Sequence, residues 1–190
     1  MAARQVALNH YRDRRRLTKA VVAEARRTWG QVDPARIRAS WLELVSRLVV
    51  VVSGAQLVAA QQAERYLDEV LAEQGIPSVA EGVLVASSLA GVASDGLPLD
   101  TLLTQPAITA VTALDRGKTP RRALAAGRAT LDMMVRTQVA DAGRVADGVA
   151  LAARRRSGGY VRMVVGKTCS RCIILAGRWY RWNAGFARHP

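Results

Sequence analysis

The sequence predicts a mainly α-helical protein that ends in a small element of different texture. Aromatic residues make up 5% of the chain while Ala, Val and Leu dominate, which favours helices packed through small and medium side chains. Apolar residues recur at helical spacing through most of residues 1–156. After Ser157-Gly158-Gly159, β-branched and alternating apolar residues lie on both sides of a cysteine pair. We therefore predict long amphipathic helices and a small C-terminal β-hairpin that contains the cysteines.

The first two predicted helices account for the N-terminal third of the chain. Residues 3–28 have the pattern of a basic helix. Asp33-Pro34 then has the form of an N-cap followed by a proline at the first helical position. An apolar face continues from there, which predicts a helix over 34–74 that is about 60 Å long. Because this length exceeds the width of a compact domain of this size, we expect the helix to pack along several partners or along neighbouring copies.

The apolar face of this second helix is the candidate partner interface. Its most hydrophobic stretch, residues 48–60, is shorter than the about twenty apolar residues that a bilayer span needs, so no membrane span is expected. Burial in a core or at a subunit interface is the better interpretation, and a homo-oligomer is expected. A break at Ser53-Gly54 is the alternative to one continuous helix. The residues expected at the interface are Trp41, Leu44, Leu48, Val51, Val52 and Leu57.

Turn residues divide the rest of the helical part. Residues 83–92 have the pattern of a short buried helix, and residues 99–115 that of a helical segment which Pro106 starts, kinks or divides. Thr119-Pro120 begins the last long helix. The predicted organisation is a basic N-terminal helix over 1–30, a helical domain over 31–156 and a basic, aromatic Cys-x-x-Cys tail over 157–190.

The net charge of +13 is concentrated at the two ends of the chain. Residues 1–30 hold eight Lys or Arg against two acids, and residues 151–190 hold nine against none. Residues 31–150 are nearly neutral, with eleven basic and thirteen acidic groups. Both ends are expected to attract polyanions, and double-stranded DNA bound without regard to sequence is the favoured partner, although a basic protein can be merely soluble. The residues expected to contact DNA are Arg12, Arg14, Arg15, Arg16, Arg154, Arg155, Arg156, Arg171, Arg178 and Arg181.

The strongest local motif is the pair Cys169 and Cys172. Two thiolates at this spacing at a turn can share one tetrahedral zinc ion, with bond lengths of about 2.3 Å. His189 is the candidate third ligand and no fourth lies nearby, so the zinc set is incomplete and no cofactor is certain. Two packed thiols and a redox pair are the alternatives. A redox pair of the thioredoxin kind needs a strand-to-helix junction in an α/β sheet, which this sequence does not predict.

Catalytic motifs are sparse. The Gly-Lys-Thr at 166–168 resembles the end of a phosphate-binding loop, but Val161 stands where that loop needs a glycine. A hydrolytic triad would have to use His10 or His189, the two histidines of the chain. The acids are spread singly along amphipathic helices. We therefore expect a protein that is not an enzyme.

The C-terminal residues carry a family resemblance. The run 168–178, Thr-Cys-Ser-Arg-Cys-Ile-Ile-Leu-Ala-Gly-Arg, with Gly185-Phe186 and the final Arg-His-Pro at 188–190, resembles the C-terminal signature of the MuF-like phage head morphogenesis family, as found in actinobacterial phages. In that family the pattern typically continues after His-Pro with Cys-x-Cys, whereas this sequence stops there, which predicts a truncated motif. The match covers about 25 of the 190 residues.

The resemblance implies a minor capsid protein that is present in few copies inside the virion head, at the dodecameric portal vertex. It implies assembly in the host cytoplasm, an effect on packaged DNA or its delivery, the portal protein as a partner, and the major capsid or scaffold protein as further partners. Two rivals remain. One is a capsid maturation protease, for which substitution of His10 and His189 should abolish head-protein cleavage. The other is a general, sequence-independent DNA-binding protein.

Overall fold

The computed structural model describes residues 2–77, 79–154 and 158–181. Within these ranges the elements, in chain order, are α1 (Ala2–Trp29), α2 (Ile37–Ala72), a 3-10 helix (Ala86–Leu89), α3 (Leu99–Leu103), α4 (Gln105–Asp115), α5 (Pro120–Ala152), β1 (Gly159–Val161), α6 (Ser170–Leu175) and β2 (Trp179–Arg181). The protein is mainly α-helical with a small two-stranded antiparallel sheet near the C-terminus. The fold class predicted from the sequence is confirmed.

Three long helices, α1, α2 and α5, build the core. α1 and α2 form an antiparallel hairpin through residues 30–36, and α1 also runs antiparallel to α5, since Arg14 pairs with Asp147 and Arg26 with Asp132. α2 and α5 therefore run in the same direction. Side chains from all three helices, and from α3 and α4, form one hydrophobic cluster. Its larger buried members are Val21, Val22, Trp29, Trp41, Leu48, Val52, Leu99, Leu103, Leu131, Val135 and Val139.

Two tryptophans join α1 and α2 to the helices that follow them. The rings of Trp29 and Trp41 meet edge to face at a centroid distance of 5.0 Å. The Trp41 indole N–H donates to the carbonyl of Leu103 at 2.7 Å, and the Trp29 indole N–H donates to the carbonyl of Leu124 at 3.1 Å. Both indoles thus bury their rings and satisfy their donors. Pro106 lies in the first turn of α4 and separates it from α3, as the sequence predicted.

The start of α2 differs from its prediction. The helix begins at Ile37, three residues after the proposed first position, and has no side-chain cap at Arg36. The Asp33 carboxylate instead accepts the N–H of Ala35 at 2.9 Å, and this hydrogen bond lowers the pKa of Asp33. Asp33-Pro34 therefore forms a capped turn before the helix. From Ile37 the helix is continuous to Ala72, so the alternative of a break at Ser53-Gly54 is wrong.

The predicted buried helix over 83–92 is also wrong. Only the 3-10 turn Ala86–Leu89 is helical there, and the valines at 83, 85 and 92 are exposed. The segment crosses α2 as a loop, which the buried amide of Gln56 holds. That amide donates to the carbonyl of Val92 at 2.8 Å and accepts the N–H of Gly91 at 2.9 Å. These two hydrogen bonds with Gln56 take the place of the hydrogen bonds that a helix would have formed within the segment.

Five of the six residues proposed as a partner interface pack in or against the chain's own core. Trp41, Leu48 and Val52 are 0% exposed, which corrects their assignment to a partner. Leu44, Val51 and Leu57 are half-buried, and Leu44 and Val51 pack against the same core. The physical reason is that helical periodicity identifies a buried face without identifying what buries it.

By length and composition α2 is also apolar enough to cross a membrane. This is weak evidence, since the core helix of a soluble protein meets the same criteria. In this structure α2 packs against α1, α3, α4 and α5.

The C-terminal element is built around a short strand pair. β1 and β2 are antiparallel, with Tyr160 opposite Tyr180 and their rings stacked at 5.4 Å. The predicted hairpin is present, but α6 is inserted between its strands. Ile173 and Ile174, which were expected in the hairpin, are helical and exposed.

Candidate nucleic-acid interface

A stripe of basic side chains runs along the outer side of α1. Its members, all exposed, are Arg4, Arg12, Arg15, Lys19 and Arg26. At about 100° per residue they fall within about 80° of the helix circumference, so they share one side of α1. From Arg4 to Arg26 the stripe rises by 22 residue steps, about 33 Å of helix. The acids of α1 lie elsewhere on the helix, where Asp13 pairs with Arg16 and Glu24 with Arg27.

α5 extends this basic surface at the Arg26 end of the stripe. The Arg26 guanidinium donates to the carboxylate oxygens of Asp132 at 3.0, 3.0 and 2.5 Å. This hydrogen-bonded carboxylate, with its negative charge, raises the pKa of Arg26. Arg128 and Arg136 lie one helical turn to either side of Asp132, and Arg121 lies two turns before Arg128; all three are exposed. Because α1 and α5 are antiparallel, Arg136 lies level with the Arg26 end of the stripe, Arg128 lies near the end of α1, and Arg121 lies beyond it.

We call this two-helix surface the basic face. It consists of Arg4, Arg12, Arg15, Lys19 and Arg26 of α1 and Arg121, Arg128 and Arg136 of α5. Within the described ranges, this face has one ion pair, between Arg26 and Asp132. The Asp132 side chain is 17% exposed. The remaining members have no ion pair there. Their charges are thus available to a polyanion that docks along both helices.

The structure corrects the role proposed for Arg14. Its guanidinium turns inward, where it donates to Asp147 at 2.5 and 2.9 Å and to the carbonyl of Ala59 at 3.0 Å. Arg12 and Arg15 do lie on the basic face, whereas Arg16 is exposed just beyond its edge, where it pairs with Asp13. Successive positions on a helix lie about 100° apart, so a cluster of arginines in sequence does not stay together on one side of the helix.

The arginines proposed near the C-terminus have three different outcomes. Arg154 is 5% exposed and donates to the carbonyl of Ala150 at 2.7 Å and to Asp68 at 2.6 Å, so it joins α2 to α5 and its proposed role in DNA binding is wrong. Arg155 and Arg156 lie outside the described residues. The three in the C-terminal element are exposed, as a DNA contact requires; these are Arg171, Arg178 and Arg181.

Sequence reasoning missed the contribution of α5 to the basic face. Residues 31–150 are nearly neutral as a group, but Arg121, Arg128 and Arg136 recur at seven and eight residues, which is helical spacing. That spacing was a usable signal for a basic side of α5. Its position beside α1 depends on the antiparallel packing of the two helices and was not readable from the sequence.

A polar cluster is enclosed between the three long helices. The His10 ring stacks on Tyr66 at a centroid distance of 4.0 Å and an interplanar angle of 4°, and His10 Nε2 lies 3.8 Å from the Asp147 carboxylate. Burial, and secondarily the Asp147 charge, raises the pKa of the Tyr66 phenol, so that the ring stays neutral. His10 of α1 therefore contacts the Tyr66 ring of α2 and the Asp147 carboxylate of α5, and the same carboxylate binds Arg14. These contacts join α1, α2 and α5.

The thiols lie at the start of α6. Cys169 caps this helix, and its Sγ accepts the N–H of Cys172 at 3.4 Å. Cys169 is exposed, Cys172 is half-buried, and neither forms a disulfide. Among the described residues no group of three His, Cys, Asp or Glu side chains lies close enough to hold a metal ion. His189 lies outside those residues, so the zinc set of Cys169, Cys172 and His189 stays a prediction.

An open groove of about 640 Å³ lies between α5 and the loop that follows the 3-10 helix. Its polar floor is already engaged: Ser94 donates through its N–H to Gln138 at 2.8 Å and through its hydroxyl to Asp141 at 2.6 Å. Val145 and Val149 line its outer part. The groove is therefore largely apolar where it is open.

Comparison with protein-family models, curated proteins and solved structures gives no match for this chain.

Proposed function

We propose that this chain is a minor head protein of the MuF-like type, which binds packaged double-stranded DNA without regard to sequence. The single observation that carries the DNA-binding part is the basic face. The C-terminal resemblance supports the placement in a phage head.

The shape of the basic face suits a duplex. The stripe on α1 is about 33 Å long, which is close to the about 34 Å of one turn of B-form DNA. The arginines of α5 continue the cationic surface from the Arg26 end of the stripe onto a second helix. Exposed Arg and Lys side chains are long enough to follow phosphates whose spacing varies. Phosphate contacts of this kind position a protein on DNA but read no bases, which suits DNA packed irrespective of sequence.

The partners and location follow from the resemblance. A protein of this family acts inside the head at the portal vertex, so the portal protein is the proposed neighbour, with the major capsid or scaffold protein in addition. The basic face would then be directed toward the packaged genome, and other surfaces would contact protein. Assembly takes place in the host cytoplasm before DNA enters the head.

DNA binding should depend on where the positive charges lie. We expect the triple variant Arg12→Gln, Arg15→Gln, Lys19→Gln to bind a short random-sequence duplex roughly tenfold or more weakly, and to reduce the slope of log K against log salt by about three. Fluorescence anisotropy across a series of salt concentrations measures both quantities.

A matched control removes the same charge elsewhere. Arg16, Arg27 and Arg36 are exposed, and each pairs with an acid three residues earlier in its own segment. Their replacement by glutamine should weaken binding much less than the triple variant of the basic face. Equal losses in the two variants would show that net charge, and not the basic face, determines the affinity.

Phage particles test the proposed location. We expect the protein in purified heads that contain DNA and in heads that do not, because a portal-associated protein enters during assembly. Quantitative mass spectrometry of both particle types measures this. Absence of the protein from mature particles and procapsids alike would contradict the minor head proposal while leaving DNA binding in vitro unaffected.

A further inference from the structure

The outer side of α2 carries a stripe of exposed residues that no described part of the chain covers. In order, the seven residues of this outer stripe are Glu43, Arg47, Val50, Gly54, Val58, Gln61 and Arg65. Their spacings are four, three, four, four, three and four, so they lie in one line along the helix. The buried residues of α2, such as Val45, Val52 and Ala63, lie on the opposite side. The outer stripe is thus a different surface from the face buried in the core.

The middle of the outer stripe is apolar and open. Val50 is 72% exposed and Val58 is 42% exposed. A Cβ atom added at Gly54 would meet nothing within 4 Å, so no neighbouring element shields this part of the helix. The sequence between Arg47 and Glu64 contains no charged residue. A glycine between two exposed valines lets a second helix approach closely and cover both of them.

The order of residues along the stripe is self-complementary, and from it we propose that a second copy of this chain covers the outer stripe. The two α2 helices pack antiparallel across a twofold axis at Gly54. Because the spacing is the same in both directions from Gly54, Val50 meets the partner's Val58, and each glycine meets its own counterpart. The apolar centre of one copy is then covered by the apolar centre of the other.

Charge selects the antiparallel arrangement over the parallel one. Glu43 and Arg65 are each eleven residues from Gly54, so the twofold axis brings Glu43 to the partner's Arg65 at both ends of the contact. Arg47 meets the partner's Gln61 in the same way. A parallel pair would place each of these charges against its own copy, which is unfavourable. Among the described residues Glu43 has no ion pair in its own chain, whereas Arg65 already approaches Glu69 at 2.7 Å.

The size of the contact predicts a reversible dimer. From Glu43 to Arg65 the stripe rises by 22 residue steps, about 33 Å. One helix pair of this length falls in the class of small, transient interfaces below about 1,200 Å². We therefore expect a monomer–dimer equilibrium that responds to protein concentration. Local crowding of copies at one site of an assembly would shift it toward the dimer.

Sedimentation velocity over a range of concentrations tests the dimer. Gly54→Met should raise its dissociation constant roughly tenfold or more, because the new side chain blocks the crossing point. The fold should be retained, since Gly54 faces open space and methionine is a better helix former. An unchanged dimer in Gly54→Met, or a monomer at every concentration in the unmodified protein, would overturn the proposal.

Charge exchange tests the direction of the two helices. Glu43→Arg alone and Arg65→Glu alone should each weaken the dimer, and the double variant should restore it, because each residue faces the other across the twofold axis. Failure of the double variant to restore dimerisation would overturn the antiparallel arrangement.

Cross-linking tests the axis directly. In a background of Cys169→Ser and Cys172→Ser, Gly54→Cys should give disulfide-linked dimers under mild oxidation. The matched control is Gly148→Cys on α5, another helical glycine whose added Cβ meets nothing within 4 Å, and it should give few. Equal cross-linking at both positions would contradict an axis at Gly54.

Two further results distinguish this proposal from membrane binding and from the DNA-binding proposal. Binding of the monomer to lipid vesicles through the outer stripe, abolished by Val50→Glu, would overturn the proposal in favour of a membrane. DNA binding through the basic face does not depend on this stripe, so the failure of either proposal is visible without the other.

Discussion

Gly127→Ala is expected to lower the free energy of unfolding by about 3 kcal/mol, because α5 has no room for a side chain at this position. A Cβ atom there would lie 2.5 Å from Trp29 Cζ2 and 2.7 Å from the carbonyl oxygen of Pro106. The indole cannot retreat, since it is packed on Trp41 and donates to the carbonyl of Leu124. The Pro106 carbonyl is backbone at the start of α4 and is equally constrained.

Urea denaturation followed by circular dichroism measures this loss. The matched control is Gly148→Ala in the same helix, where the added methyl group meets nothing within 4 Å. Alanine has the higher helix propensity, so this control should stabilise the protein by about 1 kcal/mol. If the two variants shift stability in the same direction, then the close packing of α1, α4 and α5 around Gly127 is not as described.

Asp147→Ala is expected to lower the free energy of unfolding by about 3 kcal/mol, because it leaves a positive charge without its partner between three helices. The side chains of Arg14 and Asp147 are 17% and 26% exposed, so water compensates the guanidinium only in part. The remaining acceptor of Arg14 is the carbonyl of Ala59, at 3.0 Å. His10 also loses its neighbouring carboxylate.

Two controls separate this effect from loss of a carboxylate in general. Asp13→Ala removes the partner of the exposed Arg16 and should change stability by no more than about 0.5 kcal/mol. The double variant Arg14→Met, Asp147→Leu removes both charges and should be more stable than Asp147→Ala alone. Denaturation curves give all three values. A double variant as unstable as Asp147→Ala would mean that the cost arises from lost packing and not from the unpaired charge.

Capping and proline signals in the sequence predicted where a helix begins when no tertiary contact overrides them. Thr119 accepts the N–H of Arg122 and caps α5 one residue before Pro120, as the sequence indicated, because a hydroxyl and a proline act over a single turn. Asp33-Pro34 carries a similar signal but caps a turn, and α2 begins three residues later. There the chain must turn from α1 into α2, and the geometry of that hairpin places the first residue of the helix.

The candidate sites were less predictable than the elements. The basic N-terminal helix was predicted from the sequence. Which of its arginines could reach DNA depends on the side of α1 that faces solvent, and only the structure shows that side. Arg14 and Arg15 are adjacent in sequence, and one is half-buried and pairs with Asp147 while the other is exposed on the basic face. The partner interface was expected on the apolar side of α2, but Trp41 and Leu48 lie in the chain's own core, and the dimer proposed here uses Val50 and Val58 on the opposite side.

The sequence by itself determined that this protein is helical, where its long helices lie and that a small cysteine-containing hairpin follows them. These properties arise from periodicity, capping and turn residues, which act within a few positions along the chain. The tertiary structure alone decided which side of each helix meets solvent, which arginines of α1 and α5 form one surface, and which valines of α2 stay uncovered. The physical reason is that a helix buries only part of its circumference, and contacts between residues far apart in sequence choose that part.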